Sequence, residues 1–267
     1  MLSVEWILIF LLLGAFVGFV AGLLGVGGGG VMVPVLTSIF LAQGVSADKV
    51  MHLALGTSMA SIVVTSYASL RAHNANKAII WKIVRGMSIG IILGTFCATF
   101  VASNMNSLYL ALLFSIFMAY VSINMLFNRK SMSKKSSLAQ KNLLAAGTGI
   151  GAVSALVSIG GGSLTVPYLT WKSIDVKKAI GTSAAIGLPI SMAGTVGYLV
   201  NGWNTASDMS HSYGFIYLPA VVLISLASFF TAKFGANMAN HLPTATLKKA
   251  FALLLILLSV KMLMTII

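Results

Sequence analysis

The sequence predicts an all-α membrane protein, a polytopic helical bundle made of two inverted repeats. Each repeat is expected to hold a glycine-broken re-entrant hairpin followed by three transmembrane helices. Three observations predict this: long apolar blocks with little charge, an internal duplication, and the placement of the basic residues.

The chain has 267 residues, 58% hydrophobic and only 8% charged. A soluble domain carries about 25% charged residues, so this chain lacks the charge to cover a water-facing surface. Its apolar residues form blocks at 6–24, 87–102, 108–127 and 245–267, as lipid-exposed helices require. The opening residues contain Glu5 and no Lys or Arg, so the positive start of a secretory signal is missing and the first block reads as mature structure. The net charge of +13 suggests nucleic acid at first sight. However, the basic residues sit in short loops between apolar blocks, where membrane orientation demands them, and no nucleic-acid partner is expected. Cys97 is the sole cysteine, which rules out an internal disulfide and a thiolate zinc site. It is expected to be a small core residue.

The duplication is visible in the glycine-rich passages. Residues 18–34, from Gly18 to Pro34, and 151–167, from Gly151 to Pro167, keep one register. A second pair follows: Ala-Leu-Gly-Thr-Ser ending at Ser58 and Ala-Ile-Gly-Thr-Ser ending at Ser183. Residues 114–125 and 251–262 align loosely. The expected organisation is a first transmembrane repeat at 1–127, a hydrophilic cytoplasmic linker at 128–140, and a second repeat at 141–267. Helices are predicted at 4–25, 31–42, 50–71, 79–102, 107–127, 141–158, 163–172, 177–200, 214–239 and 244–266. Segments 31–42 and 163–172 reach only about half of the hydrocarbon thickness at ~1.5 Å per residue.

Charge decides how the short segments lie. If 141–172 is a hairpin that enters and leaves on one side, all of the 17 Lys and Arg except Lys49 and Lys261 fall on the cytoplasmic face. A single broken crossing would move the six from Lys172 to Lys249 outside. Symmetry then gives the first half the same hairpin from the opposite side.

Inverted repeats with broken helices suit transport, because a break at mid-depth frees backbone groups for a hydrophilic solute. Gly27, Gly28, Gly29, Gly30 and Gly160, Gly161, Gly162 are the candidate breaks. A short helix follows each run, with Pro34 and Pro167 expected within about its first turn. Each helix start presents N–H donors and roughly half a positive charge, so two facing one site suit a small oxyanion. Scattered glycines such as Gly14, Gly18, Gly90 and Gly94 instead suit close helix packing. Thr57, Ser58, Thr182 and Ser183 place hydroxyls inside spanning helices, where each donates either to an anion or to its own helix carbonyl. Ser163 begins the second short helix and either caps it or touches the solute.

No catalytic residue, cofactor or metal site is expected. The acids Glu5, Asp48, Asp175 and Asp208 lie near ends or loops, which argues against a cation site and an acid-based proton relay. His52, His73, His211 and His241 have no ligand spacing, and neither H-E-x-x-H nor G-x-S-x-G occurs.

The duplicated glycine runs ending at Pro34 and Pro167, with the two Ala-x-Gly-Thr-Ser blocks, resemble the TauE/SafE family of sulfite exporters over nearly the whole chain. Ser158 departs from the pattern, standing where the first copy has Gly25. The resemblance implies a multi-pass transporter of the inner (plasma) membrane, carrying sulfite, organosulfonates or related anions. It also implies coupling to membrane potential or protons rather than ATP. Its partners would be a small anion and the lipid bilayer, with monomer and homodimer both open. Alternatives are a carrier of another small anion or a metal ion, a membrane-embedded enzyme, or an assembly protein.

Overall fold

A computed structural model describes residues 3–25, 27–127, 140–205, 209–238 and 244–266; most of the linker at 128–140 falls outside them. The helices in chain order are α1 (Val4–Leu24), α2 (Gly29–Ala42), α3 (Ala47–Ala75), α4 (Trp81–Ser103) and α5 (Ser107–Phe127). They continue as α6 (Gln140–Leu156), α7 (Gly162–Trp171), α8 (Val176–Asn201), α9 (Leu218–Met238) and α10 (Thr244–Ile266). Among the described residues, α1, α3, α4, α5, α8 and α9 are long and apolar enough to cross a bilayer. Their outward faces carry large apolar side chains such as Leu12, Leu93, Phe100, Phe230 and Phe234. A water-facing surface would not concentrate such residues; a lipid-facing one does.

The helices pair across the two halves. α1 packs along α9, and α6 along α4; α3 packs on α8 at the centre. Glycines set these contacts, because a missing Cβ lets backbones approach. Gly14, Gly18 and Gly22 of α1 lie against Ile224, Ser228 and Ala232 of α9, so these helices run parallel. Gly90 and Gly94 of α4 lie against Leu144 and Thr148 of α6, also in parallel. At the centre Gly187 meets Ser66 while Gly194 meets Met59, so α3 and α8 run antiparallel.

The short helices end alike. Gly44 after α2 and Ser173 after α7 both take the left-handed conformation, with φ of 88° and 66°. The next N–H in each case, from Val45 or Ile174, returns 3.0 Å to Phe40 or Leu169. This six-to-one bond is a Schellman stop, and it turns the chain directly into α3 or α8. Asp175 caps α8, its carboxylate accepting from the Lys177 and Lys178 N–H groups.

Four expectations are corrected. α2 and α7 begin earlier than expected, at Gly29 and Gly162, so Pro34 and Pro167 fall in the second turn rather than the first. There each proline removes the ladder donor that would have reached the Gly30 or Ser163 carbonyl. α9 begins at Leu218, not at 214, because Ser212–Tyr213 pairs with Ile216–Tyr217 in a two-stranded hairpin turned at Gly214 (φ 55°). Cys97 is exposed, not in the core: it shares the outward face of α4 with Leu93, Phe96 and Phe100. Finally, Ser163 is the second residue of α7 and makes no cap bond; the cap position belongs to Gly161.

Candidate functional site

The two glycine runs meet in the middle of the protein. Gly27 lies against Gly160 so closely that a Cβ on Gly27 would stand 2.6 Å from the Gly160 Cα. Gly29 lies against the Ser158 carbonyl and has no room for a side chain. Gly28 and Gly161, which precede α2 and α7, hold φ of 77° and 80°, where an L side chain is strained. Both short helices therefore start close to one contact, made by Gly27 with Gly160 and by Gly29 with Ser158, while Gly28 faces Val17, Gly30 faces Met118 and Leu255, and Gly161 faces Ile190.

Beside this contact runs a cleft bordered by Gly25, Gly27, Gly160, Thr65, Ser66 and Ser69, too narrow to admit a water molecule. Its polar wall comes from α3. Thr57, Ser61, Thr65, Ser69 and His73 recur at every fourth position, so successive members are neighbours in a stripe that winds slowly round α3, and all are buried. Ser61 Oγ donates to the Thr57 carbonyl; Thr65 Oγ1 lies within hydrogen-bond distance of the Ser61 carbonyl and of Ser228 Oγ of α9. Ser69 Oγ makes no hydrogen bond although the residue is 2% exposed. Thr165 in the first turn and a half of α7 and Ser58 on α3 are likewise buried without a hydroxyl partner. A buried unpaired hydroxyl costs free energy and marks a place where a polar group is wanted. Ser66 and Ser69 stand outside the duplicated motifs, whereas Thr165 lies within the second one, where the first copy has Met32 and so no matching hydroxyl; the four-residue hydroxyl spacing of α3 is the signal that points to Ser69.

The four expected hydroxyls have different surroundings. Thr57 Oγ1 accepts the Tyr217 N–H at 2.9 Å, just before α9. Thr182 Oγ1 accepts the Ile80 N–H at 3.0 Å, just before α4. The preceding glycines leave room for the same strands of backbone, Gly56 against the Phe215 carbonyl and Gly181 against Ala78. Each Gly-Thr pair therefore docks the start of a helix in the other half. Ser183 Oγ lies 3.1 Å from both the Gly25 and the Ile180 carbonyls and shares its one hydrogen between them, tying α8 to the end of α1. Ser163, in the first turn of α7, is half-buried.

The histidines of α3 are structural contacts at opposite ends. His52 Nε2 reaches the Ala102 and Met105 carbonyls at 3.1 and 3.0 Å, and its ring lies 5.0 Å from that of Phe215. His73 Nε2 reaches the Gly22 carbonyl of α1 at 3.1 Å. No group of three or more His, Cys, Asp or Glu suited to a metal occurs among the described residues.

The sequence model of the sulfite exporter TauE/SafE family matches residues 10–262. The chain belongs to this family. A probable membrane transporter protein of Haemophilus influenzae is 38% identical over 259 residues, 97% of this chain and 98% of its own length. Another from Methanocaldococcus jannaschii is 30% identical, with 89% of each chain covered. A third, from Bacillus subtilis, is 27% identical over 93% of this chain and 94% of its own. No solved structure matches. TauE/SafE membership, with six helices able to cross a bilayer, makes this chain a multi-pass membrane transporter.

Proposed function

We propose that this protein exports a small sulfur oxyanion, such as sulfite or an organosulfonate, by alternating access across the inner membrane. The observation that carries the reading is the meeting of the two glycine breaks at Gly27 and Gly160, with a helix beginning beside each. Two helix starts bring unpaired N–H donors and about one positive charge in sum, without a lysine or arginine beside them. A monovalent oxyanion matches that charge. The parallel pairs α1–α9 and α4–α6 and the antiparallel pair α3–α8 support an inverted arrangement of repeats 1–127 and 141–267. Such an arrangement can exchange its open side while the site stays at mid-depth.

The proposed binding groups are the backbone of Gly27–Gly30 and Gly160–Gly162, with the hydroxyls of Ser58, Ser163 and Thr165. Ser183, Thr57 and Thr182 are already engaged with backbone, and contribute by holding the two halves in register. The excess of Lys and Arg at the Arg71 and Lys177 end supports a cytoplasmic placement of that end. A negative-inside potential then drives an anion outward.

The test is sulfite flux in proteoliposomes under an imposed voltage, with a panel of competing anions. Saturable flux that sulfonates block, and that G28V and G161V both abolish, is the expected result. No anion movement under either polarity would sink the substrate assignment, and flux retained in both variants would sink the site.

A further inference from the structure

The register that aligns Thr57 with Thr182 also aligns His73 with Tyr198, each 16 residues on. The register that aligns Gly18 with Gly151 aligns Gly22 with Ala155, each four residues on. The structure joins these equivalent positions by equivalent bonds. His73 Nε2 meets the Gly22 carbonyl at 3.1 Å, and the Tyr198 hydroxyl donates to the Ala155 carbonyl at 2.9 Å. In each half, a spanning helix pins the last turn of the broken hairpin's first helix, just before the glycine break. One pin carries an imidazole, which can take a second proton, and the other a phenol, which has no such site.

We infer that His73 is the protonation point of this transporter, and that proton binding there releases the α1–α3 pin and opens the cleft on that side. The inference rests on the transport reading above. A carbonyl can only accept, so the Gly22 contact puts the imidazole hydrogen on Nε2 and leaves the Nδ1 lone pair to take a proton. Ser69, whose hydroxyl is unpartnered, lies one turn earlier on the same face of α3 and borders the cleft. The protonation point and the cleft are therefore adjacent.

The charges around His73 give its proton no buried counter-ion. At this end α8 brings Asp175, Lys177 and Lys178, α9 brings Lys233, and α3 with its following turn brings Arg71 and Lys77, all exposed. The Asp175 carboxylate caps α8 through the Lys177 and Lys178 N–H groups. α1, α2 and α5 bring no acid or base to this end, and the 212–217 hairpin lies at the other end, beside His52. An imidazolium would still donate from Nε2 to the Gly22 carbonyl, but that one bond does not replace the water or carboxylate that a buried charge needs, so the buried cation is unfavourable. Protonation therefore favours the arrangement in which the ring meets water, which requires the end of α3 to part from α1. Tyr198 has no such response, so the opposite pin stays closed over the same pH range.

The test has two arms on the full chain in liposomes. In the first, the thiol of S69C, in a C97S background, is labelled with a maleimide at several pH values, with and without H73Y. H73Y copies the Tyr198 pin and normalises the reagent's own pH dependence. The ratio of labelling with His73 to labelling with H73Y is expected to rise about tenfold between about pH 8 and pH 5.5. A ratio that stays flat overturns the inference. In the second arm, sulfite flux driven by a pH gradient is expected to fall at least about tenfold in H73Y, while sulfite counterflow without a gradient persists. Gradient-driven flux unchanged in H73Y overturns the inference as well. A rising labelling ratio in a protein that moves no sulfite keeps His73 as the protonation point and removes the sulfite reading instead.

Discussion

The two halves of this chain solve the same structural problem with different chemistry. Where α1 ends, Gly25 takes the left-handed turn and Ser183 of α8 donates to its carbonyl. Where α6 ends, Ser158 takes the left-handed turn itself, and its own hydroxyl donates to the Leu55 carbonyl of α3 at 3.1 Å. The donor has moved from the spanning helix to the turn. One consequence is that Ser58, the counterpart of Ser183, is left buried with no partner. The pins just before the turns differ in the same spirit, with His73 in one half and Tyr198 in the other. A duplicated fold therefore needs a bond at each place, while residue identity is free to make one side responsive and the other not.

The largest expected effect comes from the Gly27–Gly160 contact, where, among the described residues, the halves touch each other through glycine alone. G27A puts a Cβ 2.6 Å from the Gly160 Cα, and G160A puts one 2.8 Å from the Gly27 Cα. Overpacking together with the left-handed strain at Gly27 should cost G27A about 2–4 kcal/mol. G160A carries the overpacking alone and should cost about 1–3 kcal/mol. Because both variants strain one contact, the double variant should be markedly less than additive in a double-mutant cycle of unfolding in detergent. G44A is the control: Gly44 also has positive φ (88°), but a Cβ there meets nothing within 4 Å, so about 1 kcal/mol is expected. Equal losses for G27A and G44A would break the claim that the breaks are held by close approach.

Next in size are the docking hydroxyls. T57V removes the acceptor of the Tyr217 N–H, and T182V that of the Ile80 N–H, with little change in shape. Tyr217 N–H is buried and Ile80 N–H only partly so. Leaving a buried donor unpaired costs about 1–3 kcal/mol, so T57V should lie toward the upper end and T182V below it. Both should lower thermal stability more than they alter the apparent affinity for a transported anion. The reverse pattern would return these threonines to the solute.

Y198H would sharpen the comparison of the pins. It places a titratable ring at the silent position, against the Ala155 carbonyl. The expected outcome is that labelling of S154C, in a C97S background and relative to the same thiol with Tyr198 intact, rises by about tenfold between about pH 8 and pH 5.5. A ratio that ignores pH would show that the asymmetry of the halves lies in something other than the pin.

Much of this was legible in the sequence, and what was not has a physical cause. Apolar block length fixed the long helices, and the repeated glycine runs located both breaks. A start after each glycine run is what the sequence suggests, but α2 and α7 take in the last glycines, Gly29 and Gly162, which carries Pro34 and Pro167 into the second turn. The work of Thr57 and Thr182 was hidden, because their partners, Tyr217 and Ile80, lie in stretches that the two halves do not share. Nor does a spacing rule tell a face of hydroxyls that is fully paired from one that is not. Thr65 and Ser69 look equivalent along α3, yet only the first finds a partner, because Ser228 of α9 happens to lie opposite it.

The smallest effect is expected at Ser158, and its smallness is informative. S158G removes a non-glycine residue from φ 46°, which should gain about 1 kcal/mol, and removes the hydroxyl donor to Leu55, which should lose about the same. The net change in unfolding free energy should stay within about 1 kcal/mol. In the first half, glycine makes the turn and a serine on the opposing helix supplies the bond; S158G recreates that division, with Ser58 already in place and unpaired. A near-neutral result with Ser58 present, and a loss of about 1–2 kcal/mol when S58A is added, would show that the two halves hold interchangeable solutions to the same turn. A large loss from S158G alone would mean that Ser58 cannot reach its counterpart's role, and that the second break is fixed by the serine it carries.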